Sequence, residues 1–289
     1  MSKSMKIPNP LLFIIGTQRA GTTLLTRVLS AHKDLFIQNE ISVESVFPNS
    51  KNAEEVLVAM EQQIVNRHQS DIDQLLKAQH KKYWGVKDPE LTEHLNSVEM
   101  FANVSKFIIL IRDGRGVVNS YMENKWGLGT NAYTGAMRWM NEVNDQVAFA
   151  NKYPKQSLLI RFEDLVEDMP STLTRISEHL DIEFDPNMLK YDKKQAQFKQ
   201  NAQNVNTNSA PNIALAEKWK SALSQREISY INFVAGKTLR EHGYELAVKP
   251  INPNVFMRIY YRLHQRIIGE MQLQWQWRKA KARTKQVNG

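Results

Sequence analysis

"GTQRAGTT", residues 16–23, follows the fully apolar run "LLFII" at 11–15. Gly16 and Gly21 have the spacing of the phosphate-binding pattern G-x-x-x-x-G-K-[ST]. The lysine is missing: Thr22 stands in its place, Thr23 follows, and Arg19 lies inside the loop. A short apolar run ending at glycine reads as a buried parallel strand. Leu24, Leu25, Val28 and Leu29 then share one face, which predicts a helix over 22–31. A tight loop between such a strand and helix aims backbone N–H groups at one point, where the helix dipole adds positive potential. Glycines let the backbone approach an anion closely, and the paired threonines add hydroxyl donors. A kinase needs the lysine on the β- and γ-phosphates, so the loop suits an anion that requires no metal.

The same reading extends outward. "YWGVK" (83–87) predicts a strand stopped by Asp88-Pro89, "KFIILI" (106–111) the clearest buried strand, and "SLLIRF" (157–162) another. Helical patterning covers 52–82, a segment after Arg112-Asp113-Gly114 through Tyr121, 132–152, about 170–180, and 213–242 as far as Gly243. This alternation predicts an α/β fold, a P-loop-type central parallel sheet flanked by helices. Residues 193–212, nine of them Asn or Gln, read as a loop.

The 289 residues are 42% apolar, enough for a core. Cysteine is absent, which excludes disulfides, Cys-bound zinc and thiol nucleophiles. There is no apolar run of transmembrane length, and "MSKSMKIPNP" is too short and polar for a signal peptide. The expected setting is the cytoplasm. The net charge of +8 lies entirely in residues 249–289, which hold nine Lys/Arg and the single acid Glu270. The expected organisation is therefore a domain over 1–248 and a basic C-terminal helical extension over 249–289.

"FIIGTQRAGTTLLTRVLSAH" resembles the 5′-phosphosulfate loop of the sulfotransferases, and "IILIRDGRGVVNSYM" resembles their 3′-phosphate motif, with Arg112 and Ser120 eight residues apart. "SLLIRFEDLVEDMPSTLTRISEHLDIEF", "ALAEKWKSAL" and "EHGYEL" resemble later segments of the family, so the likeness runs over about 11–246 in order. The elements "R-x-G-T-T" and "R-D-G-R" are most similar to the tyrosylprotein and bacterial branch. The missing signal peptide argues against a Golgi enzyme and points to a bacterial cytoplasmic one. The resemblance implies 3′-phosphoadenosine 5′-phosphosulfate (PAPS) as donor, 3′,5′-ADP as product and no metal. It implies that Gly16, Gln18, Arg19, Ala20, Gly21, Thr22 and Thr23 hold the phosphosulfate, and that Arg112 and Ser120 hold the 3′-phosphate. An arginine fork after a strand suits bidentate phosphate contact.

Sulfuryl transfer needs a base for the acceptor hydroxyl and cations for the sulfuryl and bridging oxygens. Arg19 and Lys87, in "WGVKDP", are the candidate cations. Glu40, in "FIQNE", matches the glutamate base of the tyrosylprotein branch; Glu44 is an alternative, and burial is needed to raise an ordinary carboxylate toward neutrality. His32 and His94 are the candidates for a histidine base, but neither lies in the histidine branch's motif. Ser209 and Lys218 are candidates for the adenine and 3′-phosphate. Phe162 stands where the branch has a tyrosine, and Asn124 where it has an arginine, with Lys125 next to it.

In the tail, Phe256, Ile259, Tyr260, Leu263, Ile267 and Met271 form an apolar helical stripe, and Arg258, Arg262 and Arg266 a basic one. With Trp275 and Trp277 this is a membrane-surface signature, consistent with a peripheral place at the inner membrane. Packing against the domain or a second copy is the other reading. No nucleic acid is expected. The acceptor is a hydroxyl on a peptide tyrosine, glycan, lipid or small molecule. A P-loop small-molecule kinase and a non-catalytic nucleotide- or membrane-binding module stand as alternatives.

Overall fold

Four apolar residues, Leu12–Ile15, make the central strand β1, and every one of them is fully buried. In the computed structural model, which describes residues 8–47, 50–191 and 213–287, the chain divides into two compact units. The first comprises Met1–Ile111 and Asp145–Pro211, the second Arg112–Asn144 and Asn212–Gly289.

The first unit holds a five-stranded sheet. After β1 and helix α1 (Thr22–Ser30) come β2 (Leu35–Asn39), α2 (Ala53–His68), α3 (Ile72–Ala78), β3 (Tyr83–Lys87) and β4 (Lys106–Ile111). Later come β5 (Ser157–Arg161) and the end of the unit's helices. The sheet order is β2-β3-β1-β4-β5, and all neighbours are parallel. From β1 the chain builds β2 and β3 on one side, then crosses to add β4 and β5 on the other. That reversal opens a crevice at the carboxyl end of β1, where ligands bind in open α/β sheets. The register aligns Ile14 with both Lys87 and Ile108, and Asn39 with Lys87. Phe107–Ile111 in β4 are as buried as β1, the pattern of a strand covered on both faces.

Three boundaries differ from the sequence reading. The segment 52–82 is two helices, because Gln69 adopts a left-handed backbone (φ 56°) and Asp71 caps a new helix by accepting the Gln74 N–H. Phe162 does not end β5; it opens a helix over Phe162–Glu167 that leads into another over Met169–His179. Residues 213–242 hold two single turns and then a helix over Gln225–Glu241, which Ser224 and Glu227 start with a reciprocal capping box. The segment expected to be a polar loop, 193–212, lies outside the described residues.

In the second unit Gly114–Asn124 and Ala132–Asn144, the first part of a helix that runs to Lys152, meet through small residues. A side chain on Gly114 would strike the Trp139 ring at 2.7 Å, and one on Gly135 would press on Val118. The tail forms one long helix, Val255–Val287. Tyr261 stacks on Tyr133 and meets Tyr230, and polar anchoring centres on Gln265, which accepts from the Thr130 N–H (2.8 Å) and donates to the Gly127 carbonyl. Thr130 Oγ1 meets His264 Nδ1 at 2.9 Å, and Gln272 accepts from the Gly127 N–H.

Candidate active site

The loop after β1 is built for an anion. Arg19 and Gly21 both have left-handed backbones (φ 72° and 101°), and Gly21 caps α1 without any side-chain hydrogen bond. Residues of this handedness turn successive N–H groups inward as an anion-binding nest, here at the N-terminus of α1. The loop closes on itself through the Ala20 N–H, which donates to the Thr17 carbonyl at 3.0 Å. Both glycines are required by space. A Cβ on Gly16 would lie 2.8 Å from the Leu110 carbonyl oxygen and from Thr22 Cγ2. A Cβ on Gly21 would lie 2.4 Å from the Phe162 ring. Phe162 is thus a wall of the loop, a role its missing hydroxyl does not touch. Thr22 is buried, and Gln18 and Thr23 are half-buried beside it.

Parallel order brings two more predicted residues to the same edge of the sheet. Lys87 ends β3 beside β1, and Glu40 follows β2 beside β3. Their backbones are joined by the Glu40 N–H donating to the Lys87 carbonyl at 2.7 Å, and Lys87 Nζ donates to Glu40 Oε1 at 3.3 Å. Lys87's side chain is only 2% exposed, whereas Glu40's is 56% exposed. The buried ammonium therefore points its charge at a carboxylate on the rim. Glu40 is itself left-handed (φ 56°), a conformation that costs a non-glycine residue about 1–2 kcal/mol. It is held from both sides: Arg67 of α2 donates to the Asn39 carbonyl, and Gln63 brackets Ser42 through its N–H and its carbonyl. Burial of Glu40, which the sequence argument required for a strong base, is not what the structure has; the carboxylate is exposed and ion-paired instead.

Asp88 was not among the predicted site residues. It is buried, and burial pushes its carboxyl up to about 7, against the opposing pull of the Glu90 N–H and the Lys87 charge. Its Oδ1 accepts the Glu90 N–H at 2.8 Å and caps the 3-10 helix Pro89–His94. In sequence, Asp88-Pro89 reads only as a strand stop.

The two histidines weighed as bases have structural places. His32 is fully buried; its Nε2 meets the Glu183 carbonyl at 2.9 Å and its Nδ1 accepts the Asp34 N–H. The His94 ring stacks on Phe47. Glu44 lies in the single turn Val43–Val46, and Ser209 lies outside the described residues.

A family model described as "Sulfotransferase family" matches residues 10–186. The chain belongs to the sulfotransferase family. It is similar to protein-tyrosine sulfotransferase A of Caenorhabditis elegans, 26% identical over 270 residues, which is 84% of this chain and 70% of that protein. Among solved structures it is similar in fold to the sulfotransferase domain of the curacin biosynthetic pathway, with a TM-score of 0.61 and 18% identity over 83% of this chain and 99% of that one. The sulfotransferase domain of the Synechococcus PCC 7002 olefin synthase aligns with a TM-score of 0.53 and 19% identity, over 80% and 96% of the two chains. The curated relative is an animal protein, so the expected bacterial, cytoplasmic setting draws no support from it.

This sulfotransferase carries its second motif in the other unit. Arg112 directly follows β4, and its carbonyl accepts the Trp139 indole N–H at 3.1 Å. Asp113 is held by Arg115: Arg115 Nη2 and Nε reach its two oxygens at 2.7 and 2.9 Å, and its carboxylate also accepts the Arg115 N–H. Asp113 is thereby committed to capping the helix Gly114–Asn124. Gly116 leaves room for Arg112 Nε and Trp219, each 3.4 Å from where its Cβ would be. Arg115 stacks on the Trp219 ring, 4.1 Å from its centre. Ser120 lies further along the same helix, where Asn124 Nδ2 donates to its Oγ and carbonyl. Asn124, which stands where the related branch has an arginine, thus braces Ser120. Lys218 pairs with Glu123 at 2.7 Å. Among the described residues no cluster of three or more acids and histidines is set to hold a metal ion.

Proposed function

We propose that this enzyme moves the sulfuryl group of PAPS to a hydroxyl acceptor by in-line transfer, with Glu40 as base. The observation that carries the reading is the convergence, at one sheet edge, of an anion-binding loop, a buried lysine and a rim glutamate. The donor fits this chain's residues: two glycines leave space where a side chain would collide, and the α1 N-terminus is open to an anion. When bound, PAPS supplies an activated sulfuryl group on a phosphate leaving group.

The chain's own residues do the rest. The loop N–H groups and Arg19 neutralise the phosphosulfate, and Lys87 stabilises the charge that grows on the bridging oxygen. Glu40, on the rim, takes the proton from an acceptor hydroxyl arriving from solvent. The sequence motif assigns Arg112 and Ser120 to the 3′-phosphate. An exposed base at the site's mouth suits an acceptor presented on a larger molecule. Together with the likeness to a protein-tyrosine sulfotransferase, this favours a tyrosyl peptide over a small alcohol.

The test is calorimetric titration of PAPS, 3′,5′-ADP and ATP, with and without EDTA, followed by transfer of label from PAPS to tyrosyl peptides. Tight, EDTA-insensitive binding of 3′,5′-ADP is the expected result. Preferential binding of ATP with magnesium overturns the reading.

A further inference from the structure

The tail helix Val255–Val287 is fixed by the face that sequence patterning would place outward. Gln265 is the anchor: its amide serves the Gly127 carbonyl, the Thr130 N–H and hydroxyl, and the Thr134 hydroxyl. Asn131 Nδ2 donates to the Tyr261 carbonyl, and Gly269 packs directly on Gly127. Tyr261, His264, Gln265, Gly269 and Gln272 recur at three- and four-residue spacing, so they make one continuous packed face.

The opposite face is apolar and exposed. Phe256 is 80% exposed, Leu263 53%, Ile267 58% and Met271 62%, with Ile259 and Tyr260 in the same stripe. Trp275 and Trp277 are exposed beyond it, past Glu270 and Gln274, which pair with each other on the same face. The continuous stripe from Phe256 to Met271 runs about 22 Å along one helix. Exposed Arg262 and Arg266 flank it, and Arg278 and Lys279 lie beyond its far end. An apolar band of this length on a monomer's surface marks an interaction site. No helix among the described residues is long and apolar enough to cross a membrane.

We propose that this helix seats the enzyme on an anionic phospholipid surface, its apolar stripe among the acyl chains and its arginines at the headgroups. Charge decides the occupant. The tail segment from 249 onward has nine cations against the lone Glu270, so a second copy would bring like charges together, while an anionic bilayer neutralises them. Tryptophans beyond the end of the stripe match the bilayer interface. The polar anchoring holds the stripe outward even without lipid. This inference is independent of the donor and base assigned above.

The test is co-sedimentation of the full chain with vesicles of phosphatidylcholine alone, or mixed with phosphatidylglycerol. The expected result is partition into anionic vesicles roughly tenfold or more above neutral ones, weakened by salt. Leu263→Glu with Ile267→Glu changes only exposed side chains and should abolish binding while thermal stability and 3′,5′-ADP binding stay at parental values. Arg262→Gln with Arg266→Gln should remove the anionic preference by about tenfold. Equal or absent partition overturns the proposal, as does binding that both variants leave intact. A dimer in sedimentation velocity that Leu263→Glu dissolves, without vesicle binding, also overturns it in favour of self-association. Retention on RNA in place of vesicles, untouched by Leu263→Glu, overturns it in favour of a charge-only contact.

Discussion

Gly21→Ala tests the loop most directly. At φ 101° and ψ 12° an L-residue is strained wherever it is placed, at about 1–2 kcal/mol for the left-handed backbone alone. The new methyl would lie 2.4 Å from Cδ2 and 2.5 Å from Cε2 of Phe162. Carbon contacts relax near 3.5 Å, so the ring or the loop must give by about 1 Å. Phe162 is buried at the start of its helix, so the ring has little space to retreat. Overpacking of this kind adds about 1–3 kcal/mol. The total, roughly 2–5 kcal/mol, lowers the Tm by roughly 5–15 °C. Phe162→Leu in the same chain returns the steric share and leaves the backbone share. A double-mutant cycle in urea should therefore show favourable coupling of about 1–3 kcal/mol. Calorimetry on Gly21→Ala should also show 3′,5′-ADP affinity falling, since the displaced loop no longer aims its N–H groups. A Tm within about 1 °C of the parent, or additive effects in the cycle, would refute the claim that ring and loop are matched.

Asp88 makes stability depend on pH. Its folded carboxyl titrates at about 7 against an ordinary 3.8, so folding takes up a proton between those values and stability falls as pH rises through that window. Fully expressed, the loss is on the order of 4 kcal/mol. Asp88→Asn keeps the oxygen that accepts the Glu90 N–H, and its urea midpoint should change less than the parent's between pH 4 and 8; equal slopes count against it. Arg115→Met leaves Asp113 buried without its fork and removes the stack on Trp219; thermal melts should show about 3–5 kcal/mol of destabilisation. Lys87→Met should lower kcat by roughly a hundredfold or more, measured as label transferred from PAPS, with the far-ultraviolet spectrum unchanged.

The sheet was legible because four of its strands are short apolar runs bounded by Gly, Asp-Pro or charge. β2 was visible only as an apolar segment: Gln38 is buried in it and satisfied by His68 and the Asn39 carbonyl, a pairing no local pattern announces. The break at Gln69 carries neither glycine nor proline, and only the Ser70-Asp71 cap hints at it. Motif resemblance singles out Arg19, Lys87, Glu40 and Arg112 one by one. That Lys87 and Glu40 touch depends on β2 lying beside β3, and strand order is a tertiary fact. Asp113 and Arg115 sit two residues apart in the "RDGR" element, but that spacing alone does not show that the arginine folds back on the acid. The tail's periodicity predicts its helix, whereas its orientation is not written in the sequence, because amide-to-backbone anchoring by glutamines leaves no trace in a hydrophobic pattern.

On the proposed roles of the two residues, the Lys87–Glu40 ion pair would tie donor binding to base release. A lysine buried to 2% exposure needs a counter-charge. Burial pushes the carboxyl of Asp88, its neighbour in sequence, up to about 7, and the carboxylate in contact with the ammonium is that of Glu40, at 3.3 Å. A donor anion that takes up the same ammonium must displace that carboxylate. On the proposed mechanism, displacement would free Glu40 to accept a proton once the sulfuryl group is in place. The competition has a measurable sign. Glu40→Gln removes a competitor for Lys87, so it should tighten PAPS binding even as it removes the proposed base. With Glu40 56% exposed, the pair is worth at most about 1 kcal/mol, which sets the tightening at about two- to fivefold. Lys87→Met should weaken the same binding. Calorimetry on both variants reads the two signs, and single-turnover transfer reads the chemistry. Weakened donor binding in both variants would mean that Glu40 and Lys87 hold the donor together, and the coupling argued from their ion pair would be wrong.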